Sequence, residues 1–190
     1  MPKREPTPDF KTFLWILGGF VALIWGITFI DTFLFRHHLG ALGILPRKVM
    51  GLRGILFAPF LHGNFQHVAS NTVPFLILGG LVLCRGAKEF GAVSLYIMLI
   101  GGLGTWAVGP SGTVHLGASG LIFGYFGYLV MRAWYDGRLL SALIAVVVIF
   151  LFGGLIWGLS PFQEGISWQG HLFGLFGGIF AASRWASSGK

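Results

Sequence analysis

Residues 114–130 read "VHLGASGLIFGYFGYLV". An apolar run of helical length opens at Ser119, and the serine sits between Gly117 and Gly120. A hydroxyl at the mouth of such a run is either a small residue that lets two helices close up or a nucleophile. The fold class is settled first, because this run is one of six. Crossing hydrocarbon as a helix takes about 20 apolar residues. Runs of that kind lie at approximately 13–35, 65–84, 90–109, 117–135, 139–159 and 168–186. Lipid offers backbone groups no other hydrogen-bond partner, so each is predicted to be a helix. The expected fold is an all-α polytopic membrane protein, a six-helix transmembrane bundle over residues 13–186. A disordered tail is expected over 1–12 and a short C-terminal tail over 187–190.

Composition points the same way. Of 190 residues, 55% are hydrophobic and 10% charged, whereas soluble domains carry about 25% charged residues. There are 31 glycines, where ordinary usage would give about 13. They lie inside Leu/Ile/Phe-rich runs with no triplet period, which excludes a collagen-like chain and suits membrane helices in close contact. The net charge of +7 comes from 13 Lys and Arg scattered between apolar runs. That scatter marks topology rather than a nucleic-acid patch.

With the N-terminus inside, Lys3, Arg4, Lys11, Arg85, Lys88, Arg132, Arg138, Arg184 and Lys190 share one side. Arg36, Arg47, Lys48 and Arg53 fall on the other, all in the long connection over 36–64. Nine against four predicts that both termini are cytoplasmic. The half-apolar connection is expected to lie in the membrane interface. The first span is too long for a cleaved signal peptide and reads as a retained anchor. Cys84 is the only cysteine, so an intrachain disulfide and C-x-x-C chemistry are excluded.

On this topology spans two, four and six all run from outside to inside. The second opens "FLHGNFQHVASN" over 60–71, the fourth opens at Ser119, and the sixth opens "SWQGHLFGLFGG" over 167–178. Ser119, His67, Asn71 and His171 are therefore expected at one depth. His67 and Asn71, four apart, share a helix face. Gly174 and Gly178 lie on the face of His171, while Gly120, Gly124 and Gly127 form a stripe beside Ser119. Pressing the two glycine faces together would bring the hydroxyl to the imidazole.

The chemistry this implies is nucleophilic catalysis. A serine is weak alone and needs an adjacent base, and histidine titrates near neutral pH. Asn71, His67 and the Ser119 N–H are candidate donors to a developing oxyanion. None of the six acids, Glu5, Asp9, Asp31, Glu89, Asp136 and Glu164, falls in a span at this depth, so a dyad is expected. Taken singly, Ser119 reads as helix packing, His171 as a hydrogen-bonded bundle histidine, and His62 and His115 as structural or interfacial groups. Only their shared depth lifts the functional reading.

The motifs "HGNFQHVASN", "GASG" and "GHLFGLFGG" resemble, in order and span register, those of the rhomboid family of intramembrane serine proteases. The similarity covers roughly residues 51 to 182. It implies Ser119 as nucleophile, His171 as general base, His67 and Asn71 at the oxyanion site, and Gly117 shaping the preceding loop. With no organelle signal evident in the sequence, a bacterial inner membrane is expected. The resemblance also implies an enzyme without metal, nucleotide or other cofactor. Its partners would be transmembrane-protein substrates reached through the lipid bilayer, laterally near the fifth span, with water admitted from the outer side. The family's Trp-Arg pair in the first outer loop is altered here, with Leu52 where tryptophan is expected beside Arg53. Two other readings remain open: a non-catalytic scaffold or chaperone binding transmembrane segments, and a metal or proton pathway through His62, His67, His115 and His171.

Overall fold

The computed structural model describes residues 7–163 and 165–187. Six long helical segments fall where the apolar runs predict them. They are α1 Phe10–Phe33, α2 Phe65–Leu83, α3 Ala87–Val108, α4 Ser119–Asp136, α5 Leu139–Leu159 and α6 Trp168–Ser187. The last seven residues of α5, Gly153–Leu159, tighten into 3-10 geometry.

By length and composition α1, α2, α3 and α5 are apolar enough to cross a membrane. Helices α4 and α6 fall below that threshold, and the packing gives the reason. Helix α4 contacts α2, α3, α5 and α6, and α6 is wedged between α3 and α4. Helices enclosed by other helices need less apolar surface than those facing lipid. The chain is an integral membrane protein of helical-bundle architecture.

Two boundaries differ from expectation. The first helix starts at Phe10 rather than 13, because Asp9 caps it: Oδ1 accepts the Thr12 N–H at 2.9 Å. The expected N-terminal tail is shortened accordingly, and residues 1–6 lie outside the described residues. At the other end Ser187 still belongs to α6, and 188–190 are not among the described residues.

The core is built by Tyr125 and Tyr128 of α4 with Phe75, Leu78, Val93 and Ile97 of its neighbours. Glycines set the helix spacing beside it. A Cβ on Gly178 would lie 1.8 Å from the Gly124 carbonyl oxygen, and one on Gly174 would lie 2.3 Å from that of Gly120. Helices α4 and α6 thus touch backbone to backbone, as their glycine stripes predict. A second close approach was not foreseen: a Cβ on Gly101 of α3 would come within 3.3 Å of the Gly174 Cα.

The connection before α2 folds into short turns, His38–Leu42 and Val49–Phe60. Val49, Met50, Leu56 and Phe57 are exposed along it, in keeping with an interfacial position. Arg53 Nη2 donates to the Ala41 carbonyl at 3.0 Å. A tryptophan does anchor this loop, but from α3: Trp106 Nε1 donates to the Lys48 carbonyl at 2.8 Å. An isolated antiparallel bridge pairs Ile44 with His115 and ties the loop to the segment before Ser119.

Candidate active site

Ser119 is the first residue of α4, so its hydroxyl sits where the helix amides are still unpaired. The residues before it are held tightly. Gly117 has φ +121°, a conformation glycine alone adopts without strain. Its N–H donates to the Ala58 carbonyl at 2.8 Å, and a Cβ there would lie 2.8 Å from the His67 ring. The next amide, Ala118 N–H, donates to His62 Nε2 at 3.3 Å. Burial, with a like charge on His67 adding to it, holds His62 down at about 3, so it stays neutral as that bond requires.

His171 occupies the first turn of α6, and its N–H donates to the Ser167 carbonyl at 3.1 Å. The Nε2 atom is 2.9 Å from Ser119 Oγ. On the far side of the ring Nδ1 is 2.8 Å from the Gly158 carbonyl oxygen. A carbonyl only accepts, so the network places the proton on Nδ1 and leaves the Nε2 lone pair facing the serine. Phe123 stacks on the ring with centroids 4.1 Å apart and planes 9° from parallel. Ring and hydroxyl are thereby fixed in the arrangement that lets a base receive a nucleophile's proton.

Asn71 lies one turn beyond His67 on the same face of α2 and is buried. Its Nδ2 has no hydrogen-bond partner among the described residues. A buried amide without a partner is costly, and it leaves the Nδ2 hydrogens available to an acceptor outside these residues. His67 is half-buried, with its own N–H held by the Asn64 side chain at 2.8 Å. A cavity of about 50 Å³ opens beside Ser119 on its α3 side, lined among others by Met98, Thr105, His115 and Ser167.

His62, His67 and the Ser119–His171 pair are thus gathered around the serine turn. His115 stands apart from the pair and bonds Ser167 and Thr113 instead. Among the described residues no three His, Cys, Asp or Glu side chains converge as a metal site. Asp31 accepts the Leu39 N–H at 2.9 Å, far along the chain from the dyad motifs. Glu89 and Asp136 are engaged with Arg85 at the opposite helix ends. Two groups escaped the sequence reading. Phe123 carried a signal, lying four residues after Ser119 on its helix face; the Gly158 carbonyl, a backbone atom in a turn, carried none.

The Rhomboid domain family model matches residues 50–187. An uncharacterized protein of Mycobacterium tuberculosis is similar at 39% identity over 194 residues, spanning 95% of this chain and 80% of its own length. One of Mycobacterium leprae is similar at 40% over 198 residues, spanning 94% of this chain and 76% of its own length. A Bacillus subtilis protein named "Putative rhomboid protease YdcA" is 33% identical over 120 residues, 63% of this chain and 60% of that protein.

Proposed function

The chain belongs to the rhomboid family, and on that premise we propose that it is an intramembrane serine endopeptidase, cutting peptide bonds within or beside transmembrane segments of other membrane proteins. The observation that carries this reading is the 2.9 Å approach of Ser119 Oγ to an imidazole whose other nitrogen is already committed to Gly158.

In this mechanism His171 Nε2 takes the Ser119 proton as Oγ attacks the scissile carbonyl carbon. The carbonyl oxygen becomes an oxyanion, held by the Ser119 N–H at the helix start and by Asn71 and His67. Collapse of the intermediate breaks the C–N bond, and the amine leaves with the proton from Nε2. Water then attacks the acyl-serine carbon, giving its proton to His171 Nε2; collapse of this second intermediate breaks the Oγ–C bond, Ser119 Oγ takes the proton back from Nε2, and the carboxylic acid departs. No cofactor takes part. The substrate class is transmembrane protein, reaching the site from the bilayer near α5. The chamber faces the non-cytoplasmic side of a bacterial inner membrane, with both termini in the cytoplasm.

The test is labelling by a fluorophosphonate probe together with cleavage of a membrane substrate whose helix is weakened by glycine or proline. Wild type labels and cleaves. Ser119→Ala and His171→Ala lose both, whereas Asn71→Ala keeps measurable activity, reduced on the order of 10²-fold. Labelling and cleavage by Ser119→Ala at the wild-type rate would overturn the serine-protease reading, and a wild type that neither labels nor cleaves would favour a non-cutting scaffold for transmembrane segments.

A further inference from the structure

Four residues before Ser119 and four before His171 stand a histidine and a serine, His115 and Ser167. They too are joined: His115 Nδ1 lies 2.6 Å from Ser167 Oγ. The two pairs form parallel rungs between the same two segments, with the residue types exchanged. His115, Ser119 and Ser167 all line the cavity beside the serine.

The proton wiring of the second rung follows from its neighbours. Thr113 Oγ1 donates its hydrogen to the Pro110 carbonyl at 2.7 Å. It therefore accepts from His115 Nε2, which is 2.9 Å away. That leaves Nδ1 bare to accept the Ser167 hydroxyl. The same Ser167 oxygen accepts the Gly170 N–H at 3.3 Å, capping the start of α6. The His115 backbone is clamped as well, donating to the Ile44 carbonyl at 3.0 Å and accepting the Ile44 N–H at 2.9 Å. Burial lowers the His115 pKa, which favours the neutral ring this wiring needs.

We propose that His115 and Ser167 are positioning residues: their hydrogen bond sets the spacing between the serine turn and the first turn of α6, and through it the Ser119–His171 contact. The inference rests on the protease reading above and extends it to residues outside the three sequence motifs. The first turns of α4 and α6 meet through glycines that supply contact but no directional bond, so a slide between them is resisted chiefly by such a rung. Misplacement by about 1 Å costs on the order of 10²-fold in rate.

The experiment is a double-mutant cycle on His115→Ala and Ser167→Ala, with His115→Asn as the conservative variant whose Oδ1 can occupy the Nδ1 position. Each single change to alanine is expected to lower kcat and the labelling rate about 10- to 100-fold, with KM within about threefold. The double variant falls no further than the slower single, and His115→Asn recovers to within about threefold of wild type. Nitrogen NMR of the wild type shows His115 in the neutral Nε2–H form. The proposal is overturned if either alanine variant keeps wild-type kcat, if the two losses multiply, or if His115→Asn is as slow as His115→Ala. Should His115→Ala fail to fold, Ser167→Ala against His115→Asn decides by the same criteria. A wild type that never labels sinks the protease reading itself, and the NMR tautomer then still reports on the rung.

Discussion

Replacing Gly174 by alanine puts a methyl carbon 2.3 Å from the Gly120 carbonyl oxygen and 3.1 Å from its carbonyl carbon and Cα. All three atoms are backbone, so no side chain can swing away. Reaching an ordinary van der Waals separation of about 3.4 Å requires α4 and α6 to part by roughly 1 Å at that level. Gly120 follows Ser119 directly and Gly174 is one helical turn past His171. The same displacement therefore opens the 2.9 Å Ser119–His171 contact toward about 4 Å, beyond hydrogen-bond range. On the protease reading, loss of general-base help is worth on the order of 10²- to 10⁴-fold.

Gly120→Ala is the control from the same interface. A Cβ there meets nothing closer than the Gly170 carbonyl oxygen at 3.5 Å. The expected outcome is a fall in kcat and probe labelling of at least about 10²-fold for Gly174→Ala, with stability lowered by about 1–3 kcal/mol. Gly120→Ala stays within about threefold on both counts. Labelling rate and thermal denaturation in detergent measure the two effects. If Gly174→Ala labels at the wild-type rate, or Gly120→Ala is equally damaged, glycine contact does not govern the dyad distance.

Two further outcomes follow from buried polar groups that are not members of the dyad. His62 sits near 3 in the folded protein against 6.5 for a free histidine, so the unfolded chain binds a proton first as pH falls. Its contribution is fully present above about pH 6.5, declines as acid is added toward pH 3, and totals about 5 kcal/mol. Denaturation midpoints across pH 4–7 measure that slope, and His62→Gln, which still offers an acceptor to Ala118, should flatten it. At the other helix ends Asp136 Oδ2 accepts from Arg85 Nη2 at 2.7 Å and from the Ser141 hydroxyl at 2.9 Å. Its Oδ1 is 2.9 Å from Arg132 Nε, an ion pair off the hydrogen-bond axis. Asp136→Asn leaves the buried Arg132 without its carboxylate and Arg85 with Glu89 alone, and should cost about 3 kcal/mol, read as a lowered thermal midpoint with the labelling rate of the folded fraction unchanged.

Hydrophobic run length and motif spacing were enough to locate the six helices, the common level of Ser119 and His171, and the α4–α6 glycine contact. Each rests on a regularity of the helix itself: 1.5 Å per residue, and side chains three or four apart on one face. What lay beyond reach depends on pairings between distant segments. Nothing in "GGLG" at 101–104 tells which partner its helix meets, so the α3–α6 contact at Gly101 and Gly174 emerged only from the fold. His115 looked like a structural histidine because its partner Ser167 is 52 residues away. The start of α1 was misplaced because Lys11 and Thr12 break the apolar run, while the capping Asp9 begins the helix before it.

Among the described residues no acid bonds the Ser119–His171 pair, and the same geometry gives a physical reason. A third group beside the base must fix its tautomer and ring orientation. In soluble serine proteases that group is an aspartate, which also stabilises the imidazolium. Within a bundle, a carboxylate held beside Nδ1 would need desolvation and a counter-charge, a large cost in a low dielectric. Asp136 and Glu89, half-buried in this chain, are each paired with Arg85. The Gly158 carbonyl does the orienting without a charge, and its approach depends on glycine: a Cβ at 158 would lie 2.8 Å from Phe123 Cζ and 3.1 Å from His171 Nδ1. A dipole stabilises the transient imidazolium less than a carboxylate does. On the protease reading, the proton transfer from Ser119 is then the step with least electrostatic help, and the burden of lowering the barrier shifts to the donors that face the oxyanion.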